Sequence, residues 1–521
     1  MGGLPAIQLF CAGILTVTYS LLYAVWAKRT RRTVLSFGIV AVLILASCYW
    51  AQTRIYVFEY LYTVISILLI TSPTPQAIWW TVPLQVAWIN SHPSAIIGIF
   101  LVGIWFVTKT WSQSHSIKKF SVPVILVIGA NLLSPIGVRA YLKFAEEAFG
   151  EHPSRTNIFE WLSPFSPTVS SQHLASWFFG SCIVFALVLA RQFISSDKTR
   201  SANILLPLAL TFFSLAIGCA RHIPLFYFAL GSLLICAGES ALRDRSNLFA
   251  SNKRWIVHLI SCLLVVLIAT KVMIYGYAYG NAERHFAFGI DTHKFPDKAI
   301  EIIKTSKIES NIFSDYDTGA YFLYRMYPDY KVYIDGARLD EVYGEDAFLR
   351  YMQIGNDQQV INEEISKYDI RAFLVPLPPT ESEVVQLYKF LSSDPLWGLA
   401  YFDDTSMLFV RRDEASRKGL PVFSYLSPFM GADRIIKTKP DGGTTLEKDF
   451  EIGEAINPNS IAFLTMKTRF LKTIGQTDLA TQTARRMVTL CKEIDPSKVC
   501  RETARRQLIG MGQYALAREL Q

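Results

Sequence analysis

Ionisable and amide side chains interrupt the apolar first half of this 521-residue chain at a few places, and those are where chemistry could be done. Asn90 and His92 lie in Trp88-Ile-Asn-Ser-His-Pro93, Asn131 and Arg139 flank Leu133-Ser-Pro-Ile-Gly137, and Glu160 and Trp161 sit in a long loop. Arg221 and His222 end an apolar run, and Lys271 lies in the last one. Ionisable groups at membrane depth are costly, so they pair or line a ligand path. Singly, each is as well served by snorkelling or a local salt bridge. As a set, His92, Arg139, Arg221 and His222, with Asn90 beside them, suit an anion such as a lipid phosphate or pyrophosphate, because guanidinium forks match phosphate oxygens. In the second half, Asp315, Asp317 and Asp335 would suit a divalent cation, since hard cations favour carboxylates. Turn and capping roles are the competing reading for these aspartates. The sequence has no Walker loop, Rossmann glycine string, H-E-x-x-H or haem motif.

The elements that must position these residues are membrane spans. Half of the chain is hydrophobic (51%), only 18% is charged, and the mean hydropathy is +0.27. Residues 1–276 carry 20 Lys/Arg against 8 Asp/Glu, and residues 277–521 carry 31 against 35. The basic excess therefore belongs to membrane loops and does not point to nucleic acid. A crossing helix needs about 20 apolar residues. Spans are expected near 5–26, 33–50, 56–72, 76–90, 94–108, 120–135, 174–193, 203–219, 223–238 and 255–276, and the tight 76–108 pair could be partly re-entrant. Every second connection is basic: Lys28, Arg29, Arg31 and Arg32; Lys109, Lys118 and Lys119; Arg191, Lys198 and Arg200; Arg243, Arg245, Lys253 and Arg254. These four loops hold 14 of the 20 Lys/Arg of the first part. The positive-inside rule makes them cytoplasmic, so the termini and the polar set above lie outside. The start, Met-Gly-Gly-Leu-Pro, has no basic residue before its apolar stretch and reads as a span rather than a signal peptide.

Beyond residue 276 the pattern changes to short strands and amphipathic helices, which predicts a small α/β domain over 284–412. Asn311–Arg325 begins as a strand and continues as an aromatic helix. Lys331–Gly336 reads as a buried strand ending in an Asp-Gly turn, and Arg371–Pro376 as a strand stopped by proline. Glu381–Ser392 is an amphipathic helix, and Trp397–Asp403 with Met407–Arg411 forms a hairpin around Asp404-Thr405. Residues 413–457, rich in Pro, Gly, Lys and Asp, read as a linker. Residues 458–521 read as helical hairpins resembling a short tetratricopeptide stack, a type that binds a protein partner or caps its own domain. Six of the eight cysteines lie in apolar segments as small hydrophobes. Cys491 and Cys500, in an oxidising compartment, could form a disulfide or stay as two thiols.

An ordered series of landmarks carries a family resemblance: Trp88-Ile-Asn-Ser-His92, Asn131 with Ser-Pro-Ile-Gly137, Glu160-Trp-Leu-Ser-Pro164, Arg221-His-Ile-Pro-Leu-Phe226, Ser314-Asp-Tyr-Asp-Thr-Gly-Ala-Tyr321, Val332-Tyr-Ile-Asp-Gly-Ala-Arg338 and Tyr343-Gly344. Over about residues 50–412 the chain resembles a bacterial family of multi-pass membrane proteins with GT-C-type glycosyltransferase architecture. The fold expected is a polytopic helical protein of the cell (inner) membrane, of about ten spans, with an extracytoplasmic α/β domain and a helical tail. The resemblance implies transfer of a sugar from polyprenyl phosphate at the outer face. An acidic residue of the first outer loop would act as general base, and basic residues would stabilise the leaving phosphate. This chain departs from the pattern at its start, where the usual first span and acidic outer loop are not found. The expectation is therefore a chain shortened at its start, or one whose first part is supplied elsewhere, with the catalytic acid absent unless Glu160, Asp315 or Asp317 replaces it, Glu160 first among them. A salt bridge to Arg139 or Arg155 is the competing role for Glu160. Arg338 belongs to the outer-domain motif with Asp315, Asp317 and Asp335. The alternative function is a catalytically inactive scaffold or binding protein that keeps the shell. A transporter ranks below both, because no self-similar halves are seen.

Overall fold

The computed structural model describes residues 3–112, 117–142 except 140, and 158–243 except 172 and 195–201. It continues with positions 263, 266, 267, 270, 271 and 273, then 277–284 except 280–281, 295–336 except 310, 345–377, 386–428, 444–494 and 498–520. Two compact units divide at Ile290 and Asp291.

The first unit is a set of apolar helices: α1 (Gly3–Thr30), α2 (Thr33–Ser47), α3 (Val57–Ile70), α4 (Thr81–Ile89), α5 (Ile96–Ser112), α6 (Ile117–Ala130), α7 (His173–Ile194), α8 (Ala202–Gly218) and α9 (Ile223–Arg243). Among the described residues, five helical stretches are long and apolar enough to cross a membrane, including Pro5–Thr30, Leu174–Arg191 and Ala220–Glu239; Val57–Ile70 and Ile204–Gly218 are shorter. Helix α4 has nine residues, about 14 Å of rise against a hydrocarbon core of about 30 Å. A 3-10 turn, Pro75–Trp80, precedes it. The expected tenth span, 255–276, lies largely outside the described residues; those described between 263 and 273 are helical.

These helices are apolar on all sides, a composition suited to a core or to lipid. Helix α9 is mostly buried. Helix α7 turns Ile183 and Leu187 outward at 65% and 66% exposure, which water would penalise and lipid would not. Small residues let two helices approach closely: a Cβ at Gly231 or Gly238 of α9 would collide with Leu43 or Leu35 of α2, the packing logic of helices in lipid. Trp26 of α1 donates to Ser232 of α9 at 3.0 Å. At the far ends of α1 and α3, Arg29 donates to the Leu68 carbonyl at 2.7 Å and to Thr71 at 2.8 Å. After the last helix, a small antiparallel ribbon pairs β1 (Tyr277–Tyr279) with β2 (Ala282–Arg284).

The second unit contains α10 (Asp297–Ser306), β3 (Ile312–Ser314), α11 (Tyr316–Met326), α12 (Glu345–Ile354), α13 (Gln358–Tyr368), β4 (Ala372–Pro376), α14 (Gln386–Ser393), β5 (Trp397–Phe402), β6 (Ser406–Arg411), α15 (Arg412–Arg417), α16 (Thr444–Ile456), α17 (Ile461–Thr473), α18 (Thr477–Thr489), α19 (Lys498–Gly510) and α20 (Tyr514–Arg518). The sheet runs β3-β4-β6-β5, with β3 and β4 parallel and the other pairs antiparallel. The β5–β6 hairpin turns where the sequence predicts, and Asp403 accepts the N–H groups of Thr405 and Ser406 at 2.8 and 2.9 Å.

Three expectations need correction. Lys331–Gly336 is no strand: only Lys331 bridges, to Asn311. The Ile334 carbonyl instead lies against Gly319 of α11, so closely that a Cβ there would collide with it. The stretch 413–457 is no open linker among its described residues. It contains α15 and α16, and Asp449 of α16 accepts the N–H groups of Ser424, Tyr425 and Leu426 at 2.6–2.9 Å. Composition misled there because Leu446 and Phe450, one helical turn apart, are the short apolar stripe that matters, and both are buried. Nor are 284–412 and 458–521 separate bodies: residues from Phe313 to Leu520 share one core. The hairpin tip makes the joint, because Asp404 accepts the N–H groups of Ile461 and Ala462, the latter at 2.6 Å, and caps α17. Of the helix expected over 381–392, residues 386–393 are helical and 381–385 lie outside the described residues.

Candidate functional site

Four connections at one end of the first unit supply the site. The α2–α3 turn and the start of α3 bring Arg54, Tyr56, Glu59 and Tyr60; the α4–α5 turn brings His92; the loop before α7 brings Glu160 and Trp161; the α8–α9 turn brings Arg221 and His222. The loop is fastened to the α8–α9 turn by three bonds. Ala220 N–H donates to the Leu162 carbonyl at 2.9 Å, the Ser163 hydroxyl to the Ile217 carbonyl at 2.7 Å, and the Cys219 thiol to the Glu160 carbonyl at 3.3 Å. Arg54 pairs with the Glu160 carboxylate. This is the salt bridge a structural role for Glu160 requires, with Arg54 in place of Arg139 or Arg155.

Fastening the loop lays the Trp161 ring 5.3 Å from the Arg221 guanidinium, and the Tyr56 ring lies 5.9 Å away. Aromatic faces attract a cation through their quadrupoles without consuming its N–H donors. The guanidinium makes no hydrogen bond to the described residues, although Glu59 and Glu160 both act on it electrostatically. Beside it, the His222 Nδ1 and Tyr60 hydroxyl are shielded from solvent and have no hydrogen-bond partner among the described residues.

The remaining expected anion ligands are placed differently. His92 is buried, and its Nδ1 accepts the Ser94 N–H at 3.1 Å, capping the Pro93–Ala95 turn; Glu59 Oε2 lies 3.8 Å from the same nitrogen. Asn90 is exposed and ties the end of α4 to the Leu133 carbonyl at 3.3 Å. Arg139 is exposed, and no described contact joins it to Arg221. Asn131 accepts from Gln85 at 2.9 Å inside the helix packing. Lys271 is exposed on a helical stretch. Sequence reasoning missed Glu59, which is buried at 1% exposure. The signal was there: it is the one acid in the apolar run Val57–Ile70, and an acid inside such a run is a functional candidate by default.

In the second unit Asp315 caps α11, accepting the Asp317 N–H at 3.1 Å and the Thr318 hydroxyl. Burial pushes its carboxyl above the ordinary range, and those hydrogen bonds pull it back. Asp317 is exposed, Asp335 is buried, and Arg338 lies outside the described residues. Among the described residues no three His, Cys, Asp or Glu side chains gather so as to hold a metal ion. Cys491 and Cys500 are joined as a disulfide, with Cα atoms 5.4 Å apart.

These features define a mostly helical protein whose apolar helices are consistent with a membrane protein, joined to a unit built on a small mixed sheet. No protein-family model matches the chain, and no curated protein matches it.

Proposed function

We propose that this chain is a multi-pass protein of the cell membrane with GT-C-like architecture, acting at the outer face on a sugar carried by polyprenyl phosphate. The observation that carries the reading is the Arg221 guanidinium, flanked by Tyr56 and Trp161 with its donors unspent. Two phosphate oxygens match its fork, and its fixed charge stabilises a phosphate as it leaves. Glu160 stands at the more accessible edge and serves as general base. It takes the proton of an acceptor hydroxyl while the acceptor oxygen bonds to the sugar's anomeric carbon and the bond from that carbon to the phosphate oxygen breaks. Glu59 balances Arg221 from the buried side.

The alternating loop charges support ten spans with the site and the second unit outside. The Cys491–Cys500 disulfide supports an oxidising compartment. The helical tail supports a tetratricopeptide-like assignment, since Gly475-Gln476 and Gly512-Gln513 make the same positive-φ turn 37 positions apart.

Binding of farnesyl phosphate to the purified full-length chain tests the reading. Arg221→Ala should weaken it roughly tenfold or more, the worth of charged hydrogen bonds; unchanged affinity would remove Arg221 from the role. Glu160→Gln should keep binding and abolish sugar transfer. The pairing of Glu160 with Arg54 favours a second reading, a catalytically inactive GT-C-like binding protein or scaffold. Lipid-phosphate binding by the unaltered chain, without transfer to any acceptor tried, would support it.

A further inference from the structure

Among the described residues, the fixed charges that act at the candidate site are Arg54, Glu59, Glu160 and Arg221. Their partnerships differ. Glu160 is spent on Arg54. Glu59 is buried and acts on Arg221. His92 lies 3.8 Å from Glu59 but supplies it with no counter-charge. Its Nδ1 accepts the Ser94 N–H, and an imidazole with one bare nitrogen is neutral. The Arg221 guanidinium is therefore already matched in charge by a carboxylate inside the protein, while its N–H donors make no hydrogen bond to the described residues. Such a group offers a phosphate hydrogen bonds, and leaves little charge to balance a second negative one.

We infer that Glu59 sets the charge this site accepts, favouring a phosphodiester with one negative charge over a phosphomonoester with two. The inference rests on the reading of Arg221 as the phosphate ligand and gives that reading a direction. A lipid-phosphate sugar is a diester. As the acceptor oxygen bonds to the anomeric carbon, the electron pair of the breaking bond stays on the phosphate oxygen, and the acceptor's proton goes to Glu160. Once Glu160 returns that proton to water, a monoester remains. Its second ionisation falls near pH ~6, so it carries almost two charges at neutral pH. The phosphate then shares Arg221 with buried Glu59, and like charges repel more strongly where the dielectric is low. Glu59 is thus a specificity residue that loosens the spent lipid phosphate and holds the substrate.

Farnesyl methyl phosphate, a diester, and farnesyl phosphate, a monoester, are titrated separately into the purified full-length chain at a pH where the monoester is doubly charged. The diester should bind about tenfold more tightly, the effect of one added charge a few ångströms from a carboxylate in a partly polar interior. Glu59→Gln keeps the shape and removes the charge. It should bind the monoester more tightly than the wild type does and close most of the gap. An equal gap in wild type and variant would assign the preference to shape and overturn the inference. Wild-type binding of the monoester at least as tight as that of the diester also overturns it, and that ranking needs no variant. If Arg221→Ala then abolishes the binding, the phosphate role of Arg221 still stands. Binding of neither ligand by the wild type defeats both.

Discussion

Single carboxylates fix this protein's joints. Asp404 is the clearest case. It sits at the β5–β6 turn and spends its oxygens on the N–H groups of Ile461 and Ala462 and the hydroxyl of Ser460 at 3.2 Å. Burial pushes its carboxyl above the ordinary range, against the pull of those hydrogen bonds. A carboxyl raised on folding binds more protons in the native state, so its contribution to stability is full below the unfolded value and fades as pH rises through the folded one. Asp404→Asn should remove this slope. Thermal melts of the full-length chain from pH 3.5 upward should show the wild type losing ground to the variant through that window. Parallel curves would mean that folding leaves the proton affinity of Asp404 unchanged. Asp413 and Glu454 work in the opposite sense, held below the ordinary range by Arg411 and by Lys467 with Arg486.

Among the elements, close approach of backbone decides what the sequence pattern leaves open. The Asp-Tyr-Asp-Thr-Gly stretch and the Tyr-Ile-Asp-Gly stretch stand apart in sequence, and the alternation of the second reads as a strand. The structure presses Gly319 onto the Ile334 carbonyl instead. Gly319→Ala should therefore cost about 1–3 kcal/mol, the range for overpacking, measured as a lowered melting temperature of the second unit. Tolerance of alanine would mean that α11 and the 331–336 segment can part. Helix α16 teaches the complementary lesson. Its composition reads as linker, and the burial of Leu446 and Phe450 with the capture of three backbone N–H groups by Asp449 shows it to be part of the core.

For the whole molecule, the disulfide and the shared core make the tail part of the second unit. Replacing both Cys491 and Cys500 by serine should lower the stability of that unit by about 2–3 kcal/mol, the loop-closure value for a crosslink of this span. Alkylation by a thiol reagent should reach these two positions only after reduction. Alkylation without reductant would show free thiols and withdraw the support for an oxidising compartment.

The sequence by itself determined the division into an apolar helical part and a polar α/β part, because hydropathy and loop charge are sums over neighbours along the chain. It also determined the β5–β6 hairpin and the helical character of the tail, for which turn chemistry and periodicity suffice. Tertiary structure decided the site. His92, Arg139 and Arg221 read as one ligand set, yet His92 is a cap and no described contact joins Arg139 to Arg221, while Tyr56 and Trp161 flank Arg221. Glu160 finds Arg54 across 106 positions. Such partnerships depend on which helix ends meet, and that is set by the packing of Gly231 and Gly238 on α2 and by three bonds fastening a loop. Neither leaves a periodic trace in the chain.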